Sequence, residues 1–181
     1  MPIFITVILM LTLTSTACFG SEGDKQANSF FYLYSSLCLK NLVDLDALRE
    51  KLKPVPKFPP EHAALFLGGR TGDAWPVPDE HGTFVLALLG GKNFCALHAR
   101  RANTETVTKL FTELVAHPPA PFIVKQLKNE QVQTAENGMT HTVSYEWSLP
   151  DVARKLMFTL TTAPSESAQL QVLGSAAIIG R

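Results

Sequence analysis

From residue 83 onward the apolar and polar positions follow patterns regular enough to name elements. Residues 83–89 (TFVLALL) form a nearly continuous apolar run that predicts a buried strand, "GGK" at 90–92 supplies a turn, and 94–99 returns as the partner strand. Asn103 is placed to cap a helix over 104–117, because Val107, Leu110, Phe111, Leu114 and Val115 recur on one face before Pro118 and Pro119 stop it. A long strand is predicted over 122–133, a hairpin at Asn137-Gly138, and a second strand over 139–147 in which apolar and polar residues alternate. Residues 155–162 alternate around Leu156, Phe158 and Leu160, and a last strand is expected over 168–178.

The N-terminal half is patterned for helices. In 28–39 (NSFFYLYSSLCL) Phe31, Tyr34 and Cys38 recur at helical spacing, with Phe30 and Leu37 widening the stripe. Asp44 can cap a helix over 45–52, where Leu45, Leu48 and Leu52 repeat. "PVPKFPP" at 54–60 reads as a stiff connector, and 61–67 as a short helix begun by Pro60 and ended by Gly68 and Gly69. Residues 68–82 (GGRTGDAWPVPDEHG) read as the longest loop. The expected fold class is α+β: an antiparallel meander sheet of about five to six strands, with one long amphipathic helix and N-terminal helices packed on one face.

Residues 3–13 (IFITVILMLTL) are apolar for roughly eleven positions, too few for a transmembrane helix of about twenty and suited to a secretory signal. The reading is a signal peptide over 1–17, or cleaved as far as 20, a flexible linker over 18–28, and a single domain over 29–181. The amino-terminal "MP" lacks the Lys or Arg usual before such a run. Ser15, Thr16, Ala17 and Cys18 resemble the lipobox of bacterial lipoproteins, except that Ser15 stands where the motif prefers leucine. That resemblance implies lipidation of Cys18, and Phe19 after it implies sorting to the outer membrane. Ordinary cleavage after Ala17 or Gly20 is the alternative, giving a periplasmic protein. On either route Cys38 and Cys95 remain as a pair, and an oxidising compartment would close it.

Sixteen basic and sixteen acidic residues cancel, so no field for a phosphate backbone is present, and "ARRA" at 99–102 is too short to make one. No nucleic acid is expected as a partner, and a membrane only through a lipid on Cys18. Cys95 and His98 are three apart in a predicted strand and point to opposite faces, so they cannot share a metal. His62, His81, His98, His117 and His141 are scattered without the spacing of a helical zinc site. No metal or cofactor is expected. G-x-S-x-G, H-E-x-x-H and the phosphate-loop pattern are all absent. Two candidate binding regions stand out: the polar loop carrying Asp73, Trp75, Asp79, Glu80 and His81, and an aromatic face made by His141, Tyr145 and Trp147. The second reads more readily as core beneath a helix, with His141 near the sheet edge, since Met139 and Val143 share its face.

The order of these segments, from "SSLCLKNLVDLDALREKL" through "FLGGRTGDAW" and "GTFVLALL" to "CALHARRA", resembles a family of small, uncharacterised exported (lipo)proteins of proteobacteria, some encoded near conjugative or other mobile elements. The resemblance implies envelope localisation and pairing of Cys38 with Cys95, and carries no catalytic residues. The leading functional expectation is therefore a non-enzymatic envelope protein that binds another protein. A periplasmic small-ligand module and a small hydrolase are the alternatives.

Overall fold

The structure is a computed structural model that describes residues 21–180. Helix α1 (Glu22–Leu33) starts at Ser21, whose hydroxyl accepts from the Asp24 amide at 3.2 Å. It continues without a break into a π-helical turn, Tyr34–Leu39. Gln26, Phe30, Tyr34 and Cys38 are all buried and lie four apart. On an α-helix such steps drift by about 40° each, and the wider turn keeps Tyr34 and Cys38 over the sheet. Helix α2 (Leu45–Leu52) follows, with the Asp44 carboxylate accepting from the Ala47 amide at 2.9 Å. Helix α3 (Pro60–Leu67) opens with proline in its first turn and closes on Gly68 at φ 58°.

The strands are β1 (Gly72–Asp79), β2 (Gly82–Leu89), β3 (Phe94–Ala99), β4 (Ile123–Thr134), β5 (Gly138–Ser148), β6 (Lys155–Thr162) and β7 (Val172–Ile179), with helix α4 (Thr104–Val115) between β3 and β4. They form one antiparallel sheet in the order β1-β2-β3-β7-β6-β5-β4. Helices α1, α2 and α4 cover one face through Phe30, Tyr34, Leu45, Leu48, Val107 and Phe111, which meet Phe84, Leu86, Leu97, Phe158 and Leu160. The Cys38–Cys95 disulfide, with Cα atoms 5.4 Å apart, pins the π-helical turn to β3 through this layer.

Four expectations are corrected. Residues 22–28, read as linker, are the first two turns of α1. Its polar residues are used locally, since Asp24 accepts from Thr106 Oγ1 at 2.7 Å and ties α1 to α4. Among the described residues the sheet has seven strands, not five to six. The additional strand is β1, read as loop because of Pro76 and Pro78; an edge strand tolerates prolines because their missing N–H groups cost no ladder bonds there. The sheet is not a single meander: α4 carries the chain from β3 to the far edge, and β4 to β7 return until β7 pairs with β3. Helices also lie on both faces, since Ala63 and Leu67 of α3 pack beneath β1 to β3 on Ala74, Val85, Ala87 and Ala96 in a second core.

Candidate functional site

The predicted polar loop divides into two ends of β1. Asp73 stands at the start of the strand and pairs with Lys57 at 2.5 Å. Trp75 is 4% exposed within the main core. Asp79, Glu80 and His81 stay together at the β1–β2 turn, beside Lys25, Ser29 and Tyr32 in an open groove of about 440 Å³. The Asp79 carboxylate accepts from Ser29 Oγ at 2.6 Å and from the His81 amide at 3.0 Å. The Ser29 bond first, then the amide, hold its carboxyl below the ordinary value of 3.8. Both bonds favour its charged form, which suits Asp79 to bracing the turn rather than accepting a proton in catalysis.

Two of the three residues of the aromatic face, Tyr145 and Trp147, pack into the fold. Tyr145 and Val143 are buried in the core. Trp147 donates Nε1–H to the Val115 carbonyl at 2.7 Å and packs edge-on against Phe158, so it closes the C-terminus of α4. His141 lies beyond the helix layer, 2.7 Å from Asn129 Oδ1. Cys95 and His98 take opposite faces of β3 as expected. Cys95 is bridged to Cys38, and His98 Nε2 lies 3.2 Å from the Phe66 carbonyl. That carbonyl can only accept, so Nε2 carries the proton. Burial pushes the His98 imidazole from 6.5 down to about 4.

His98 borders an open cleft of about 1310 Å³ at one end of the sheet. Its charged lining is mixed: Arg100 and Arg101 face the same space as Glu105 and Glu166. Arg101 adopts φ 65° and its amide donates to Gln171 Oε1 at 2.7 Å, while Arg100 donates to the Ala168 carbonyl at 3.2 Å. The cleft therefore presents no field of one sign to a charged substrate. Among the described residues no three His, Cys, Asp or Glu side chains converge to hold a metal ion. Among them, too, no helix is long and apolar enough to cross a membrane.

The feature that sequence reasoning missed is the edge formed by β4. Ten of its twelve residues are exposed, including Ile123 at 58% and Val132 at 52%. It is bonded to β5 on one side and, among the described residues, to no strand on the other. The opposite edge is closed: β1 carries Pro76 and Pro78, and its Ala74 carbonyl accepts from the Phe58 amide at 2.8 Å. One signal for β4 was visible, since IVKQLKNEQVQT is a long strand with almost no large apolar residue in its middle. Its place at the edge was not, because that depends on the crossover made by α4. Comparison with known proteins returns no matching family model, no matching curated protein and no matching solved structure.

Proposed function

We propose that this chain is a non-enzymatic protein-interaction module of the cell envelope and that β4 is its binding element. One observation carries the reading: a twelve-residue strand is exposed over most of its length at a sheet edge to which no further strand is bonded among the described residues. Its outward backbone N–H and C=O groups can pair with an incoming strand, and its side chains then select the partner. The Cys38–Cys95 bridge supports an oxidising compartment, in keeping with the signal-like residues 3–13 and Cys18, which lie outside the described residues.

Photocrosslinking in the native envelope tests this. A photoreactive residue at Gln126 or Gln131 on β4 is expected to give a discrete crosslinked species, while the same residue at Leu65, 78% exposed on α3, gives none. Equal labelling from both elements, or none from β4, would remove the proposal.

A further inference from the structure

We infer that the strand received by β4 is the β4 of a second copy, joined antiparallel about a two-fold axis with Lys125 facing Glu130 of the partner. The inference rests on the interaction role proposed for this edge and names its occupant.

The register follows from a bulge. Ile123 and Lys125 pair across the sheet with Ser148 and Glu146, and Glu130 and Val132 pair with Thr142 and Thr140. These four β5 residues are alternate positions of one strand, so Ile123, Lys125, Glu130 and Val132 share one face of the sheet. In a regular strand Lys125 and Glu130, five apart, would point to opposite faces. The register shift between Gln126 and Lys128 brings them to the same one. An antiparallel two-fold pairing centred between Leu127 and Lys128 then sets Lys125 against Glu130 and Ile123 against Val132, each twice by symmetry. Gln126 faces Asn129 on the other side of the sheet.

Neighbouring registers are worse. Sliding by two residues one way puts Lys125 against Lys128 and Ile123 against Glu130. Sliding the other way puts Lys125 against Val132 and leaves Glu130 facing Leu127. Like charges directly opposite destabilise a strand pair, whereas opposite charges and apolar pairs support it. Lys125 is also available, since its register partner Glu146 is already bonded by Lys155 at 2.8 Å and no ion pair involves Lys125 among the described residues. Glu130 lies 3.6 Å from Lys128 on its own strand, so in the dimer it would sit between two ammonium groups.

A bulge and lysines ordinarily discourage edge pairing, and here they act as a filter. A regular, uncharged strand meets an offset backbone and unpaired charge, while a second β4 carries the matching offset and the opposite charges. The closed β1 edge completes the geometry: with one edge open among the described residues, pairing ends at two copies instead of growing into a fibre.

Sedimentation velocity over a concentration series, on the full chain as the cell processes it, tests the register. Wild type is expected to dimerise. Lys125→Glu and Glu130→Lys are each expected to weaken self-association by about tenfold or more, because each places like charges opposite one another twice. An equimolar mixture of these two variants, and the Lys125→Glu/Glu130→Lys double variant, are expected to dimerise again, because both restore opposite charges. Both positions are exposed, and an unchanged unfolding midpoint verifies that each variant is folded; should one fail to fold, the other single variant and the double variant still decide. Dimers from the single variants as tight as wild type, or no recovery on mixing, would overturn the inference. A wild-type chain that stays monomeric while β4 crosslinks a different protein in the envelope overturns the second copy and leaves the interaction role standing. A monomer with no β4 crosslink removes both.

Discussion

Gly174 shows how far a single position can constrain the packing. It lies on β7 opposite Leu97 and Leu160, and a Cβ there would sit 2.8 Å from Phe30 Cζ and 3.3 Å from the Tyr34 ring. Both rings are buried and nearly parallel, and the Tyr34 hydroxyl donates to the Ser175 carbonyl at 2.8 Å, so neither can withdraw easily. Gly174→Ala is expected to cost about 1–3 kcal/mol through overpacking, read as a lower urea midpoint with unchanged slope. His98 gives a second prediction, in pH. Its imidazole is held neutral down to about 4 when folded and protonates near 6.5 when unfolded, so between these values the unfolded chain binds the extra proton. Stability should therefore fall as pH drops from 6.5 to 4, by about 3 kcal/mol in full, and should gain nothing from this group above 6.5. Asp24 and Asp79, both held below 3.8, lose their contributions at lower pH still, so the windows separate. Urea midpoints at pH 7, 5.5 and 4.5 should fall more steeply for wild type than for His98→Gln, which keeps a donor for Phe66. Parallel slopes would show that the imidazole is not the group responsible.

At the scale of elements, helix α4 rests on its ends as much as on its apolar face. The Asn103 side chain accepts from the Glu105 and Thr106 amides at 3.0 and 3.1 Å, and Trp147 takes a carbonyl at the other end. Asn103→Ala should cost about 1 kcal/mol, and Asn103→Asp much less, since a carboxylate still accepts both bonds and suits the positive end of the helix. Thermal unfolding of the two variants side by side checks this. Asn103, Asp44 and Pro60 were legible in the sequence because a cap or an N-terminal proline acts on its own helix and needs no distant partner. The same holds for β2, β3 and β6, whose apolar runs end at local turns. β1 was hidden because proline carries opposite meanings in a loop and at a sheet edge, and only the tertiary position decides between them. The start of α1 was hidden because Glu22, Asp24 and Lys25 look like linker until Thr106 and Asn103, some eighty residues away, bond to Asp24 and the Gly23 carbonyl. The candidate site suffered most from this limit. Asp79, Glu80 and His81 were found as a cluster, but strand order alone makes β4 an edge.

Taken as a whole, the molecule has a helical layer laid on a sheet by a chain that returns from far away, and the disulfide joins those two parts. Cys38 closes the N-terminal helical segment onto β3 across a sequence separation of 57 residues. β3 is the strand on which the two antiparallel runs meet, paired with β2 on one side and β7 on the other. In the chain-entropy account a loop of that length restricts the unfolded ensemble by about 4 kcal/mol, against a total of about 5–15 kcal/mol for an ordinary domain. Both cysteines are fully buried among Tyr34, Leu42, Leu86 and Leu97 in the main core, so serines would add unsatisfied hydroxyls while alanines remove the bond more cleanly. Cys38→Ala/Cys95→Ala is therefore the informative variant. It should lower unfolding free energy by about 4 kcal/mol while leaving the far-UV spectrum native, and reductant should then have no further effect on it. Hydrogen exchange should show where the loss falls. Amides of the π-helical turn and α2 should lose protection first, because apart from the bridge they are held mainly by side-chain packing, while β6 and β7 stay protected by ladder bonds on both sides. Uniform loss across sheet and helices would mean instead that the bridge stabilises one indivisible unit, and that the helical layer is as firmly part of the fold as the strands beneath it.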